Sequence, residues 1–276
     1  MTSLARAGGA AVMGTGIVSV ALSLDGSESI SRLLFVLAAA GLVAVAVALA
    51  AFAVSDRVAF RDHACVPGAL TWVAATDVVG ARLTFFGWRH EAEALLALAF
   101  ALWLVLVPCV LAHWRTPTVG LSFLLVVATE SLAVLAARVG LVDEALVPLA
   151  LGLAFYVFVV ARFDLRHVLE GSGDHWIAGG ALAIAALACA RCGLHTLALA
   201  VWAAAAAWLP VLLVAEVMRP RLRFHALRWS TVFPLGMYAV CSFAAGGGLT
   251  GFARAWAWVA LAGWAAVAAA TVRRLA

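Results

Sequence analysis

Two carboxylates, Asp77 and Glu130, lie inside long apolar stretches of this chain, and Phe233-Pro234 breaks a third. A carboxylate in such surroundings must pair with a cation, stay protonated, or hand protons on. Three readings therefore stand side by side. The two acids form ion pairs with arginines such as Arg82 or Arg138. They are neutral, because burial raises a carboxylate pKa. Or one of them is a proton site that couples movement of another solute to H⁺. Asp77 and Arg82 are five residues apart, so they do not sit squarely on one helix face. The proline has its own consequence. Inside a helix it removes a hydrogen bond and bends the axis. A bend there can bring the ring of Phe233 onto an axis between helices, where it would gate by steric block and dewetting. Phe243 is the competing ring on the same stretch, and a kinked packing helix with a core phenylalanine is the plainer alternative.

Other reactive residues form no catalytic set. Cys189 and Cys192 are the one close pair among five cysteines, with only His195 nearby, and read as small packing residues rather than a metal site. "RHEAE" (89–93) and "DHW" (174–176) place histidine beside carboxylates, but not at the HExxH spacing of a helical zinc motif. Both read as interfacial. "GSGDHW" lacks the lysine of a phosphate-cradling loop. No cofactor, metal or enzymatic chemistry is expected.

The elements that must position Asp77, Glu130 and Phe233 are membrane helices. The chain is 66% hydrophobic and 12% charged, where a soluble domain has about 45–50% and about 25%. Apolar runs near twenty residues recur along its length, each able to cross about 30 Å of hydrocarbon. Breakers divide the chain into ten spans: 7–24, 32–54, 67–86, 92–113, 117–138, 142–163, 175–191, 194–217, 228–247 and 252–272. The expected fold is an all-α, single-domain integral membrane protein over residues 1–276. A signal peptide is not expected, because no small-x-small cleavage site follows the first apolar run.

The spans alternate in kind. Odd ones carry Gly14, Thr15, Gly16, Thr76, Asp77, Gly80, Thr129, Glu130, Gly179, Gly180 and Gly236; even ones are mostly Leu, Ala, Val and Trp. Polar groups and bent backbone are tolerated where protein or water faces them, not lipid. The expectation is five hairpins, odd members forming an inner ring and even members an outer one. Small residues that serve only tight helix packing are the alternative at any one glycine. All 18 basic residues are arginine, and net charge is +4. Twelve fall at the ends shared by the two termini and six at the opposite ends. The positive-inside bias then puts both termini in the cytoplasm of a multi-pass cell-membrane protein. The same bias explains the basic balance without nucleic-acid binding. The arginines at 219–228 can also meet anionic lipid head groups.

"MGTGIVS" (13–19), "VVATESLAVLAA" (126–137) and "FPLGMYA" (233–239) resemble the tellurite-resistance/dicarboxylate transporter family, which includes slow-type anion channels. The resemblance covers essentially the whole chain. It implies ten helices in five hairpins, a homotrimer with a pore in each protomer, and passage of small inorganic or organic anions. It implies that Phe233 plugs the pore, with Pro234 as the kink. Gly14, Thr15, Gly16, Thr129, Gly179 and Gly236 would then line it. One position departs from the family pattern: a neutral glutamine is expected where this chain has Glu130. A charge there would repel an anion at 4 Å by about 4 kcal/mol at an effective dielectric of 20. The other reading of the same resemblance is proton-coupled transport or export of a dicarboxylate, sulfite or tellurite.

Overall fold

The computed structural model describes residues 2–220 and 225–275. Arg221 and Arg223 of the basic cluster lie outside the described residues. Among the described residues the chain is helical throughout, without a strand beyond one backbone bridge between Thr118 and Phe163. Ten long helices are numbered α1 (Thr2–Asp25), α2 (Glu28–Ser55), α3 (Thr71–Leu83), α4 (Arg89–Ala112), α5 (Leu124–Arg138), α6 (Val142–Val160), α7 (Ile177–Arg191), α8 (His195–Met218), α9 (Trp229–Ala245) and α10 (Thr250–Leu275). Two short helices, Arg57–Ala64 and His167–Glu170, lie in connections.

Eight helices are long and apolar enough to cross a bilayer: α1, α2, α4, α6, α8, α10, and α3 and α5 with their flanking 3-10 turns. Of the ten expected spans, α7 with 15 residues and α9 with 17 are shorter. A 15-residue helix rises about 22 Å, less than the hydrocarbon thickness. Both are buried along nearly their whole length. A helix that meets protein on all sides has no need to match the lipid.

Burial alternates along the chain. In the apolar windows of α1, α3 and α5, 78–89% of residues are buried, against 11–28% in α2, α4, α6, α8 and α10. The even helices present Leu33, Val47, Val105, Val147, Val157 and Val217 outward, an apolar surface far too large for water. The five buried helices also touch one another in sequence: α1 packs on α3, α3 on α5, α5 on α7, α7 on α9, and α9 on α1.

Local chemistry fixes where these helices end. Beyond each buried helix a glycine adopts positive φ: Gly26, Gly87, Gly140, Gly193 and Gly246. At Gly140 (φ 92°) the turn closes with Leu141 N–H donating to Ala136 O at 2.9 Å, the paired bonding that satisfies the last carbonyls of a helix. A side chain would strain that φ. Each turn leads into the next, more exposed helix within a few residues, and the two pack together. The return connections are longer, and α3, α5, α7 and α9 each begin with a 3-10 turn.

Candidate functional site

Twelve residues from all five buried helices enclose one narrow cavity. Its wall includes Ile17 and Val20 of α1, Asp77 of α3, Ser131 and Arg138 of α5, Ile184 of α7, and Met237 and Val240 of α9. At about 20 Å³ it has room for about one water molecule. Contacts between neighbours rise together along the chain. Gly14 faces Val232 and Gly236 faces Ile17; Gly9 faces Thr71 and Gly16 faces Val78. The buried helices therefore run parallel.

Asp77 lies toward one end of this cavity. Ser131 Oγ donates to its Oδ2 at 2.7 Å, and its Oδ1 is buried without a hydrogen-bond partner. Arg138 lies seven residues beyond Ser131, about 10 Å along the axis. Its guanidinium bonds Thr84 Oγ1 at 3.2 Å and stacks over Phe85 at 4.3 Å, and it has no carboxylate partner among the described residues. The cavity thus holds a carboxyl group at one level and an uncompensated cation two turns away.

Phe233 lies below the Asp77 level. It stands four residues before Met237 and seven before Val240, the spacing that puts all three on one helix face. One turn down from the other wall residues are Met13, Val73, Val127 and Gly180. Phe233, Met13, Val73 and Val127 are fully buried. The level beneath the cavity is therefore apolar, and its largest member is Phe233. Pro234 lies inside α9, and its ring presses on Gly180, where an added Cβ would come within 2.7 Å of Pro234 Cγ. Phe243, at the C-terminal end of α9, is only half-buried.

Several expectations need correction. Neither acid forms an ion pair among the described residues. Arg82, fully buried, is taken by Glu28 at 2.8 Å, Ser31 at 3.0 Å and Ser19 at 3.3 Å, and lies 4.4 Å over the ring of Phe86. Glu130 is buried with neither oxygen hydrogen-bonded and abuts Gly152 of α6, away from the cavity wall. The residues read as pore lining do not border the cavity either. Gly14, Gly16, Gly179 and Gly236 occupy close helix contacts, against Val232, Val78, Tyr238 and Ile17. Thr15 and Thr129 point outward: Trp264 Nε1 donates to Thr15 Oγ1 and Trp103 Nε1 to Thr129 Oγ1, both at 2.9 Å. Trp202 makes the same kind of bond to Ser242 at 2.8 Å. Hydroxyls that can serve an ion can equally anchor an indole, and sequence does not say which way a helix is rotated. Trp103→Phe should lower the thermal unfolding midpoint, at a cost of roughly 0.5–1.5 kcal/mol, and leave any solute flux through the protein unchanged. Flux through the mutant, measured beside its melting curve, separates an anchor from a lining group.

A second polar cluster lies at the opposite end, where the buried helices begin. "DHW" sits at this end of the bundle, just before α7, with Asp174, His175 and Trp176 all buried. His167 Nε2 lies 2.8 Å from Asp174 Oδ2, and Leu121 N–H donates to the same oxygen at 3.3 Å. Arg228 grips Glu216 through both its amino groups, at 2.7 and 3.2 Å, and Trp176 Nε1 donates to Glu216 at 3.1 Å. The bond to Asp174 raises the His167 pKa against the opposing effect of burial. Burial pushes Asp174 up, but the hydrogen bond and charge of His167 outweigh it and leave the carboxyl below its usual value. The two signs define a window. The His167 contribution is complete below its ordinary pKa of 6.5 and fades as pH rises through the raised value. The Asp174 contribution is complete above 3.8 and fades as pH falls through the lowered value. The pair should stabilise most between those pH values. Asp174→Asn is expected to cost roughly 1–3 kcal/mol at pH 5 and less at pH 8, read from unfolding midpoints at both.

Two features were not singled out from sequence. Arg138 entered only as a partner for an acid, although its place at the end of a polar helix, seven residues after Ser131, put both on one face. Cys65 and Cys109, 44 residues apart, form a disulfide with a Cα–Cα distance of 4.9 Å. The chain matches the family described as SLAC1, voltage-dependent anion channel, over residues 7–272. No curated protein matches it.

Proposed function

The chain belongs to the SLAC1 voltage-dependent anion channel family, and from that premise we propose that small anions cross the membrane along the axis between α1, α3, α5, α7 and α9, with Phe233 as the gate. It is a multi-pass membrane protein of a family of anion channels and transporters. In this reading all ten long helices cross the bilayer as five hairpins, odd members inside and even members outside. The whole forms one transmembrane unit, with both termini cytoplasmic and three protomers assembled in lipid, each with its own pore.

One observation carries the reading: the cavity shared by all five buried helices, with unpaired Arg138 at one level and an apolar plug below. A guanidinium without a carboxylate partner attracts an anion. The far end contributes too. Five parallel helices begin there, and helix N-termini carry partial positive charge that favours anions. Thus both mouths attract anions and the middle excludes water until the plug moves. Purified protein in vesicles carrying a chloride or nitrate gradient should dissipate that gradient, and faster with Phe233→Ala. No flux above protein-free vesicles from either form would defeat the proposal.

Proton-coupled transport is the second reading, and the unpartnered Oδ1 of Asp77 within the cavity favours it. Coupling would place a proton on Asp77 as an anion enters. Uptake driven by an imposed proton gradient, and lost in Asp77→Asn but not in Glu130→Gln, would select it over a simple channel.

A further inference from the structure

Cys65 caps the C-terminal end of the short helix Arg57–Ala64, and Cys109 and His113 lie four residues apart at the end of α4. Four residues is just over one helical turn, so Cys109 and His113 share a face. One donor atom from each of the three residues lies within 4.8 Å of the others. His113 is already oriented: its Nδ1 is 2.9 Å from the carbonyl oxygen of Cys109. A carbonyl only accepts, so Nδ1 carries the proton and Nε2 keeps a lone pair for a ligand, the arrangement by which proteins prepare metal-binding imidazoles. The group lines an open cavity of about 860 Å³, together with Asp62 and Trp114.

We propose that Cys65, Cys109 and His113 form a Zn²⁺ site when the Cys65–Cys109 disulfide is reduced. Two thiolates and one imidazole are a zinc set that needs one more ligand. Asp62 or water in the same cavity supplies it. The arginine distribution, on which this inference rests together with the proposed orientation of the helices, places this end in the cytoplasm, where thiols are kept reduced. A cellular dithiol gives two electrons to the S–S bond. The two sulfurs take up two protons, and the donor leaves as its own disulfide. Zn²⁺ binding then releases those two protons as the thiolates form. The bound ion would hold the 57–65 segment to the end of α4, as the disulfide does.

The test uses the full chain in detergent, reduced with a phosphine, stripped of metal and titrated with Co²⁺ as a coloured substitute for Zn²⁺. One Co²⁺ per chain should bind, with a thiolate-to-cobalt charge-transfer band that Zn²⁺ abolishes. Cys65→Ser with Cys109→Ser should remove the band. His113→Ala should weaken binding by about tenfold or more, and Cys189→Ser with Cys192→Ser should leave it intact. A reduced wild-type chain without the band, or a band that survives loss of Cys65 and Cys109, overturns the proposal. Alkylation followed by peptide mass analysis reads the same point without any substitution: Zn²⁺ should protect Cys65 and Cys109, and equal labelling with and without Zn²⁺ overturns it. Recovery of the pair as a disulfide from cells quenched in acid would also overturn it, and would put this end on the oxidising side, whether or not anions pass through the protein.

Discussion

Phe233→Ala raises anion conductance in a planar bilayer by about tenfold or more. The physical ground is the apolar level formed by Phe233 with Met13, Val73 and Val127, all fully buried. An anion crossing it must shed water and find no polar partner, which is costly in any apolar constriction. Removing the benzyl group opens space for water at that level. Each ~1.4 kcal/mol taken from the barrier raises the rate about tenfold. The same change creates a cavity, and such truncations cost about 3–5 kcal/mol in a packed core. Helix content and monodispersity must therefore be measured beside the current. Phe233→Leu, which keeps most of the volume, should stay nearly closed and serves as the control. Unchanged current through a folded Phe233→Ala protein would show that the ring is not the gate.

Asp77→Asn and Arg138→Gln change anion conductance in opposite directions. Both side chains face the same cavity, about 10 Å apart in level. An anion about 5 Å from either charge feels roughly 3 kcal/mol at an effective dielectric of 20. Water entering an open pore weakens this, so about tenfold each way is the expected scale. Arg138→Gln lowers conductance and weakens selection of anions over cations. In the wetted Phe233→Ala pore, where water lets the Asp77 carboxyl ionise, Asp77→Asn raises conductance at pH values that ionise it and flattens the response to pH. The charged groups that matter to Asp77 are few. Arg138 enters from α5, while α1, α7 and α9 bring only Ile17, Val20, Ile184, Leu187, Met237 and Val240 to the wall. Current–voltage curves in opposing salt gradients, taken on both variants in the Phe233→Ala background, read conductance and selectivity together. Equal and parallel changes would take the cavity off the permeation path.

The division of labour among helices was legible in the sequence because lipid imposes it. A helix facing hydrocarbon must be apolar on its exposed side, as α2, α4, α6, α8 and α10 are, while a buried helix is free to carry Asp77, Glu130 or Gly236. Rotation about the helix axis was not legible. Thr15 and Thr129 belong to buried helices, yet their hydroxyls turn outward to Trp264 and Trp103. Composition assigns a helix to a layer, but only its neighbours decide which face meets the centre. The same limit hid Glu130 behind Gly152 and let Arg82 find Glu28, 54 residues away in sequence, rather than an acid on its own helix. One spacing in the sequence could have narrowed the choice of face. Phe233, Met237 and Val240 follow a single helical face, and two of the three border the cavity.

The central claim concerns the path that anions take, and labelling that path tests it most directly. Val240→Cys in the Phe233→Ala background puts a thiol on the cavity wall, one to two turns from the gate. A small charged methanethiosulfonate reagent should abolish the current, and Phe233→Ala without the added cysteine should be unaffected. Complete modification of Cys at 240, verified by mass, with the current undiminished would contradict a pore between the five buried helices.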